Sequence, residues 1–376
     1  MTISRRTLIL GAGGGLALAG VAGVYRAMQM PVTAGQPWAI DPRPLKDVRL
    51  DAFRYAIPAP NPHNRQPWLI RLEDDDAATL FLDPSRRLPR TDPFDRQITI
   101  GFGAFIEIAR MAAAARGVRM EAQLFPDGEA PDGLGRRPIV RLRFAADPGV
   151  ARDPLFAVVR ERRSNKEAYD LSRPVARAAL AGVAAGDGHT LDPARLGAIR
   201  NVVLAAVTIE METPHTHRES VDLIRIGHRE VDASPDGIDL TGPMIELGQI
   251  AGLVDRPSLA DPQSASFRSG LDGLRGTYGS IPALVWIATP GNSRREQIEA
   301  GRRYVRANLR ATRAGRAMHP MSQSLQEYPE VAAPLAAVHR LCGVSAPGRI
   351  QMLARVGHGP AVPPSPRWPL ATRIMA

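Results

Sequence analysis

The chain has 376 residues, of which 44% are hydrophobic and 23% are charged. At about 150 residues per domain, this length suits two or three domains, or one large α/β unit with an accessory segment. A single cysteine, Cys342, excludes an internal disulfide, so packing has to hold the core. The formal net charge is +10, but only 5% of the residues are aromatic and no basic stretch is interleaved with them, which disfavours nucleic-acid binding.

The N-terminus, residues 1–34, has the pattern of an export signal. Arg5 and Arg6 precede an uncharged apolar run over residues 8–24, which is typical of a twin-arginine signal. A cleavage point is expected near residues 32–34, and the alternative is an uncleaved membrane anchor. The sequence therefore predicts export by the twin-arginine route, to the periplasm or to a membrane-anchored position facing it.

Two halves of mixed helix and strand follow, and they meet near residues 127–153. The first half alternates elements in a way that predicts an α+β fold. Its predicted elements are a helix over 45–55, a turn-rich loop over 57–68, a hairpin of strands 68–72 and 78–82, a helix over 98–116 and a strand over 138–144.

The second half repeats this order loosely. Its predicted elements are a helix over 155–163, a helix-rich part over 194–229, a strand over 283–288 and a helix over 293–314. Residues 232–278 are rich in Gly, Ser, Pro and Asp and have weak periodicity, so we expect a loop that covers a site as a lid. Prolines in the tail, residues 357–369, predict an extended segment.

Three polar clusters could carry chemistry. Arg162-Arg163-Ser164-Asn165-Lys166 offers three cations and a hydroxyl, which suits a phosphate monoester; the alternative is a solvated basic helix end. Asn64 and Gln66 stand on a loop entering a strand, and carboxamides suit the donor and acceptor edge of a flavin pyrimidine ring; the alternative is a turn satisfied by its own side chains. Arg367, in the proline-rich tail, could reach a phosphate from a distant part of the chain.

Together these clusters resemble the FMN-binding nitroreductase family. The family's Arg-x-Ser-x-Arg/Lys phosphate motif is matched by residues 162–166. Its Pro-Ser-x-x-Asn-x-Gln-Pro-Trp loop is matched by residues 60–68, with Asn61 in place of serine. The glycine-containing turn 357–360 and Arg367 match the family's C-terminal turn and basic residue, and residues 315–323 look like the segment that faces the flavin N5 and O4.

The order of these motifs departs from ordinary members, in which the arginine motif precedes the loop. The chain looks like two nitroreductase-like halves fused into an intramolecular pseudo-dimer with one flavin site, as in the Acg-like subgroup. The resemblance implies a signal or anchor over 1–34, an N-terminal half over 35–150 and a C-terminal half over 151–376, with the lid at 232–278. It also implies a monomer.

The resemblance assigns roles to residues of this chain. Arg162, Lys166 and Arg367 would hold the phosphate, Ser164 the ribityl or phosphate end, and Asn64 and Gln66 the ring. The full set of implied cofactor-binding residues is Arg162, Ser164, Lys166, Arg367, Asn64, Gln66, Asn61, Ser322 and Gln323.

The implied function is that of an FMN-dependent oxidoreductase acting on nitro or quinone-type acceptors, with a small aromatic electron acceptor as its second partner. The alternative is a flavin-sequestering or storage protein without turnover. The N-terminal segment could associate with a membrane. No metal site is expected, because His215 and His217 would point to different faces of a predicted helix.

Overall fold

The computed structural model describes residues 31–130 and 132–375, in which helices pack around two four-stranded antiparallel sheets. This arrangement confirms the α+β class predicted from the sequence. The predicted export signal lies outside the described residues except for its last four positions, 31–34.

The first sheet is built from the first half of the chain. Helix α1 (Val48–Ala56) precedes the sheet, and helix α2 (Arg96–Ala115) connects its second and third strands. The strands are β1 (Trp68–Glu73), β2 (Ala77–Leu82), β3 (Val118–Leu124) and β4 (Val140–Ala146). Their spatial order is β1-β2-β4-β3, and β1 and β2 form the predicted hairpin in the register Trp68↔Leu82.

The second sheet repeats this succession of elements. Helix α3 (Arg177–Ala184) precedes β5 (Gly188–Thr190), and helix α10 (Arg294–Arg313) connects β8 with β9. The last three strands are β8 (Leu284–Thr289), β9 (Ala317–Pro320) and β10 (Arg349–Gly357). The spatial order β5-β8-β10-β9 equals that of the first sheet when β5, β8, β9 and β10 are matched with β1 to β4.

Residues 191–283, between β5 and β8, have no counterpart in the first half, and we call them the insertion. They form helices α4 (Pro193–Glu212), α5 (Pro214–Leu223), α6 (Gly227–Ala233), α7 (Pro243–Ile250), α8 (Arg256–Ala260) and α9 (Ala265–Gly279). The short strands β6 (Ile224–Ile226) and β7 (Ile238–Leu240) pair in parallel. The prediction of a loop over 232–278 is wrong, because short capped helices fill it. Asp255 and Ser264 accept backbone N–H groups at the starts of α8 and α9.

Two other predictions in the second half need correction. The predicted helix over 155–163 is only a 3₁₀ turn, Pro154–Val158, and the backbone then turns so that Arg162 points back to the first half. Strand β10 was not predicted, because Gln351 and Arg355 interrupt its apolar run although both are fully buried. Helix α11 (Ala332–Leu341), between β9 and β10, was also not predicted.

Helices α2 and α10 pack against each other through paired glycines. A Cβ on Gly103 would overlap the carbonyl oxygen of Ile298, and a Cβ on Gly301 would overlap that of Ile100. The two contacts are equivalent, since each joins a glycine to the residue three positions before the other glycine. Such reciprocity is the pattern of a two-fold interface, here formed between two helices of one chain.

Each of these helices begins with a buried arginine that reaches the other half. Arg96 donates to the carbonyl oxygens of Leu325 and Gln351, at 2.7 and 2.8 Å. Arg294 donates from Nε to the carbonyl oxygen of Ala130 at 3.0 Å. The two guanidinium groups therefore tie the halves together at the same end of the helix pair, where Nη1 of Arg294 also lies 3.5 Å from Oγ1 of Thr99.

The main core lies between the first sheet and helices α1 and α2, with Trp68, Phe102 and Phe105 at its centre. Within the described residues, α2 is the one helix long and apolar enough to cross a membrane, and 89% of its most apolar window is buried inside the protein. Its hydropathy is explained by its central position in the core.

Candidate functional site

A cavity of about 470 Å³ is lined by all three parts of the molecule. The first half contributes the loop before β1, residues 60–64, and one face of α2. The second half contributes residues around Ser164, Tyr304 on α10 and the segment after β9. The insertion covers the remaining wall with apolar side chains of α4, α5 and α9. Mostly apolar walls with a few polar groups are typical of small-molecule sites.

The loop before β1 has an unusual backbone. His63, Asn64 and Gln66 all have left-handed conformations, with φ of 45°, 51° and 49°. Non-glycine residues in this region are uncommon, and each costs of order 1 kcal/mol unless the surroundings hold it. Such strain tends to occur at binding sites. In this conformation His63 and Asn64 form part of the cavity wall.

Gln66 holds this loop in place and lies outside the cavity lining. Its Nε2 donates to the carbonyl oxygen of Pro235 in the insertion at 2.7 Å, and its Oε1 accepts the N–H of Trp368 in the tail at 2.9 Å. Asn61 accepts the Gln66 N–H at 2.7 Å. The buried carboxamide of Gln66 therefore joins the loop, the insertion and the tail.

Arg162 and Arg367 meet at the other side of the same loop. Both guanidinium groups donate to the carbonyl oxygen of Pro58, at 2.9 and 3.0 Å. Arg367 also donates to Oδ1 of Asn64 at 2.6 Å, and Asn64 in turn donates to the carbonyl oxygen of Pro366 at 2.9 Å. Nη1 of Arg162 and Nε of Arg367 have no hydrogen-bond partner among the described residues.

The two arginines are buried without a counter-ion. Arg162 is 2% exposed and Arg367 is 3% exposed, and neither forms an ion pair with a carboxylate of the described residues, although the more distant Asp239 partly offsets the effect of burial on the pKa of Arg367. Burial lowers the pKa of Arg162 to about 10 and that of Arg367 to about 9, so both stay charged at neutral pH. Buried charges in proteins are normally paired. The positive charge of Arg162 and Arg367 is not, and we call this side of the site the basic pole.

Residues 32–38, which we call the N-terminal strap, close over this pole. The N–H groups of Val32, Thr33 and Ala34 all donate to the carboxylate of Asp232 at 2.9 Å. The ring of Trp38 faces both arginines, with centroid distances of 5.7 Å to Arg162 and 5.5 Å to Arg367. The strap thus contacts both arginines through the ring of Trp38, and the carbonyl oxygen of Ala34 accepts the backbone N–H of Arg367 at 2.8 Å.

Ser164, Lys166 and Tyr304 complete the basic side of the cavity lining. The ammonium group of Lys166 is mostly exposed and lies 4.0 Å from Oδ1 of Asp239. The hydroxyl of Tyr304 is buried and lies close to the side chains of Asn308 and Ser164. Tyr304 was not predicted from the sequence, although it stands one helical turn after Gly301, where α10 comes closest to the first half.

A second polar group lies in the wall that the insertion builds. The carboxyl of Glu210 on α4 lines the cavity with Gln323, Gln326 and Ser220. Glu210 is 5% exposed, and burial raises its pKa to about 7, although the neighbouring Gln326, Ser220 and Gln323 side chains lower it in part. No motif marks Glu210, because it stands in a long helix of ordinary composition.

The structure therefore brings most of the predicted site residues to one cavity. Those that line it are Asn61, Asn64, Ser164, Lys166, Ser322, Gln323 and Arg367. Arg162 is not in the lining, but it binds the same carbonyl oxygen of Pro58 as Arg367 does. Gln66 is also outside the lining, and its hydrogen bonds to Pro235 and Trp368 hold the loop. The 3₁₀ turn Ser322–Leu325 carries Ser322 and Gln323.

Burial shifts the pKa values of two side chains that the sequence offered as candidates, His63 in the cavity wall and Cys342 outside it. Burial lowers the pKa of His63 to about 4, with the charges of Lys166 and Arg65 adding to the effect. Nδ1 of His319 lies 3.2 Å from Nε of Arg355. Burial raises the pKa of the Cys342 thiol to about 12, so it stays protonated. In the described part of the chain, no group of His, Cys, Asp and Glu could hold a metal ion.

Over 340 residues the sequence is 28% identical to the protein described as "Putative NAD(P)H nitroreductase Rv3131" of Mycobacterium tuberculosis (strain ATCC 25618 / H37Rv), which covers 84% of this chain and 88% of the relative. Over 85 residues it is 40% identical to "Putative NAD(P)H nitroreductase acg" of the same strain, 23% of this chain and 25% of the relative. The chain is similar to nitroreductases. No family model matches it.

Solved structures of nitroreductase-like proteins are also similar, but weakly. A protein described as a "putative nitroreductase" from Anabaena variabilis aligns with 87% of this chain and 91% of its own, at 11% identity and a TM-score of 0.46. A nitroreductase-like family protein from Bacillus cereus aligns with 60% of this chain and 97% of its own, at 13% identity and a TM-score of 0.33. At these scores the structural likeness does not by itself identify the fold family.

Proposed function

We propose that this chain is an FMN-binding member of the nitroreductase family and an oxidoreductase for nitro or quinone-type acceptors. The observation that carries the proposal is the pair of buried arginines, Arg162 and Arg367, which have unpaired N–H donors and no counter-ion in the described part of the molecule. A dianionic phosphate monoester would supply both the missing charge and the missing acceptors. The sequence similarity to nitroreductases over 84% of the chain supports the same ligand class.

The phosphate would lie between the arginine pair and the cavity. Arg162 and Arg367 would donate to its oxygens from their free N–H groups, with the hydroxyls of Ser164 and Tyr304 as further donors. Lys166 would contribute a point charge from the exposed side. The strap would shield this pole from water through Trp38, which strengthens each charge-assisted hydrogen bond.

The ring would lie in the apolar part of the cavity. Asn61, Asn64, Ser322 and Gln323 line the walls there and would orient it. Gln66 would not contact the ring directly, since its carboxamide is already hydrogen-bonded to Pro235 and Trp368. We therefore assign Gln66 as a positioning residue that keeps Asn64 in its left-handed conformation, in place of the ring contact expected from the sequence.

When bound, FMN supplies hydride and electron transfer to an acceptor, while the protein supplies orientation and electrostatics. This chain's part is to hold the nucleotide through its basic pole, to exclude water with the insertion and to leave an acceptor space within the cavity. The repeated order of elements and the Gly103–Gly301 contact support an intramolecular pseudo-dimer with one nucleotide per chain. The insertion, including residues 232–278, is the proposed lid.

A second candidate function is flavin storage without turnover. It is favoured by the cover over the site: the insertion lines one side of the cavity, and Asp232 fixes the strap over the basic pole. A covered ring is poorly placed for stacking with a reduced nicotinamide. Export to the periplasm, which we propose from residues 1–34, would also separate the protein from cytoplasmic nicotinamide and require another electron donor.

The two candidates differ in how the purified chain responds to donors and acceptors. A yellow protein that is bleached by a reduced nicotinamide and reoxidised by a nitroaromatic compound supports the oxidoreductase. A yellow protein that keeps its oxidised spectrum with both reagents supports storage. A colourless protein that takes up no added FMN contradicts both candidates.

A further inference from the structure

The part of the cavity lined by Glu210, Gln323 and Gln326 has more buried hydrogen-bond acceptors than donors to pair with them. Oε2 of Glu210, Oε1 of Gln323 and Oε1 of Gln326 are all buried, and none makes a hydrogen bond of good geometry within residues 31–130 and 132–375. The Gln323 and Gln326 side chains nevertheless lie close enough to Glu210 to lower its pKa in part. All three side chains line the cavity. Buried polar atoms in native proteins are nearly always paired, so three orphaned oxygens on one wall indicate a ligand that donates hydrogen bonds.

A histidine adds a fourth acceptor to this group. Nε2 of His217 lies 2.9 Å from the carbonyl oxygen of Leu259, so it carries the proton and donates. Nδ1 of the neutral ring is then an acceptor, and it too is buried without a partner in the described part of the chain. Burial lowers the pKa of His217, which keeps the ring neutral at physiological pH.

The charge of the group is negative or zero. The titratable side chains that influence Glu210 or are influenced by it are Glu219, Tyr278 and Tyr328, and none of these is a cation. No lysine or arginine of the described residues forms an ion pair with Glu210. A carboxylate in a buried wall without a cation is costly, so an ionised Glu210 needs a counter-ion from the ligand.

The surroundings of these acceptors are apolar and aromatic. Val207, Met211, Leu259, Phe267 and Leu274, which belong to the insertion, line the cavity with them. Phe267 packs edge-on against His217 with ring centroids 5.0 Å apart. A ligand here would need an apolar body as well as a donor-rich head.

We propose that this part of the cavity binds the protonated amino group of a small aromatic or aliphatic amine, with Glu210 as its counter-ion. An ammonium group has three donors and no acceptor, which matches the three orphaned oxygens of Glu210, Gln323 and Gln326. The apolar side chains of α4 and α9 would pack on the body of the amine. The proposal shares Gln323 with the proposed flavin site, but Glu210 and Gln326 are not among the residues that we propose to hold the flavin.

The test compares two probes of the same shape on the purified full-length chain. Benzylamine and benzyl alcohol are titrated separately by isothermal calorimetry at pH 7.5. We expect benzylamine to bind more tightly by at least about tenfold, because only its head is charged and donates three hydrogen bonds. Equal affinities for the two probes, or no measurable binding of benzylamine, would overturn the proposal.

A pair of variants on helix α4 locates the effect. Glu210→Gln keeps the size of the side chain and removes its charge, so it should weaken benzylamine by about tenfold or more and leave benzyl alcohol unchanged. Glu212→Gln, on the exposed side of the same helix, should leave both affinities unchanged. Equal loss of both probes in E210Q would mean a disturbed cavity and would count against the amine site. If E210Q does not fold, the two-probe comparison on the unmodified chain still decides.

Discussion

Arg162 and Arg367, one at the start of the second half and the other near the C-terminus, donate to the same carbonyl oxygen, that of Pro58. Pro58 belongs to the first half, so one backbone oxygen of the first half accepts hydrogen bonds from two arginines of the second half. No carboxylate of the described residues forms an ion pair with either arginine, and buried charges in proteins are normally paired, which is why we propose that this pair binds an anion.

The first prediction concerns this arginine pair. Arg162→Ala and Arg367→Ala should each weaken FMN binding by about tenfold to a hundredfold, since a hydrogen bond to a charged group contributes about 1.5 to 3 kcal/mol. Fluorescence titration of the purified variants measures the affinity. Arg160→Ala, two residues away and exposed, is the matched control and should bind FMN like the unmodified chain. Unchanged affinity in the double variant R162A/R367A would refute the phosphate assignment.

The second prediction concerns the contact between α2 and α10. Gly103→Ala and Gly301→Ala should each lower the free energy of unfolding by at least about 1 to 3 kcal/mol, because the new Cβ would overlap a backbone carbonyl oxygen that cannot move freely. Gly182→Ala, in α3, meets no atom within 4 Å and should stabilise the chain slightly through helix propensity. Chemical denaturation measures all three, and a neutral effect at Gly103 would contradict the close packing.

The third prediction concerns the strap. Burial alone would raise the pKa of Asp232, but the N–H groups of Val32, Ala34 and Thr33 lower it below its usual 3.8. A lowered pKa means that the strap contact is fully present above about pH 4 and is lost as the pH falls through the folded-state value. Hydrogen exchange of residues 32–34 should therefore be slow at pH 6 and fast in Asp232→Ala. Asp222→Ala, an exposed control, should leave it slow, and rapid exchange in the unmodified chain would contradict the contact.

The fourth prediction concerns Glu210 and pH. Because burial raises its pKa from 4.5 to about 7, the folded state holds a proton that the unfolded state releases, and stability falls as the pH rises from about 4.5 to 7. The loss is on the order of 3 kcal/mol. In Glu210→Gln the fall should be smaller and should not vanish, since burial also raises the pKa of Asp92 to about 6. Thermal unfolding from pH 5 to 8 measures the slope, and identical slopes in the two proteins would contradict the buried, protonated state.

Much of the first half could be predicted from the sequence because its periodicity is strong. The β1–β2 hairpin and helix α2 are long or alternate clearly, and the predicted bounds lie within a few residues of those observed. The insertion could not be predicted in the same way, since helices such as α8, with five residues, are shorter than the window in which periodicity becomes visible. Strand β10 was missed because buried Gln351 and Arg355 have the polarity of surface residues.

The candidate site shows a similar division. Local motifs identified Asn64, Ser164 and Lys166, which the structure brings to one cavity. Sequence patterns could not show that the Gln66 carboxamide is bonded to Pro235 and Trp368, because these partners are distant in the chain. They also could not indicate Glu210 or Tyr304, whose burial depends on how the insertion and α10 pack.

The central claim is that the basic pole holds a phosphate, and comparing FMN with riboflavin tests it most directly. The two ligands share the ring and the ribityl chain and differ only in the phosphate group. We predict that the purified full-length chain binds FMN at least about a hundredfold more tightly than riboflavin, and that R162A/R367A removes most of this difference. Equal affinities for FMN and riboflavin in the unmodified chain would contradict the account.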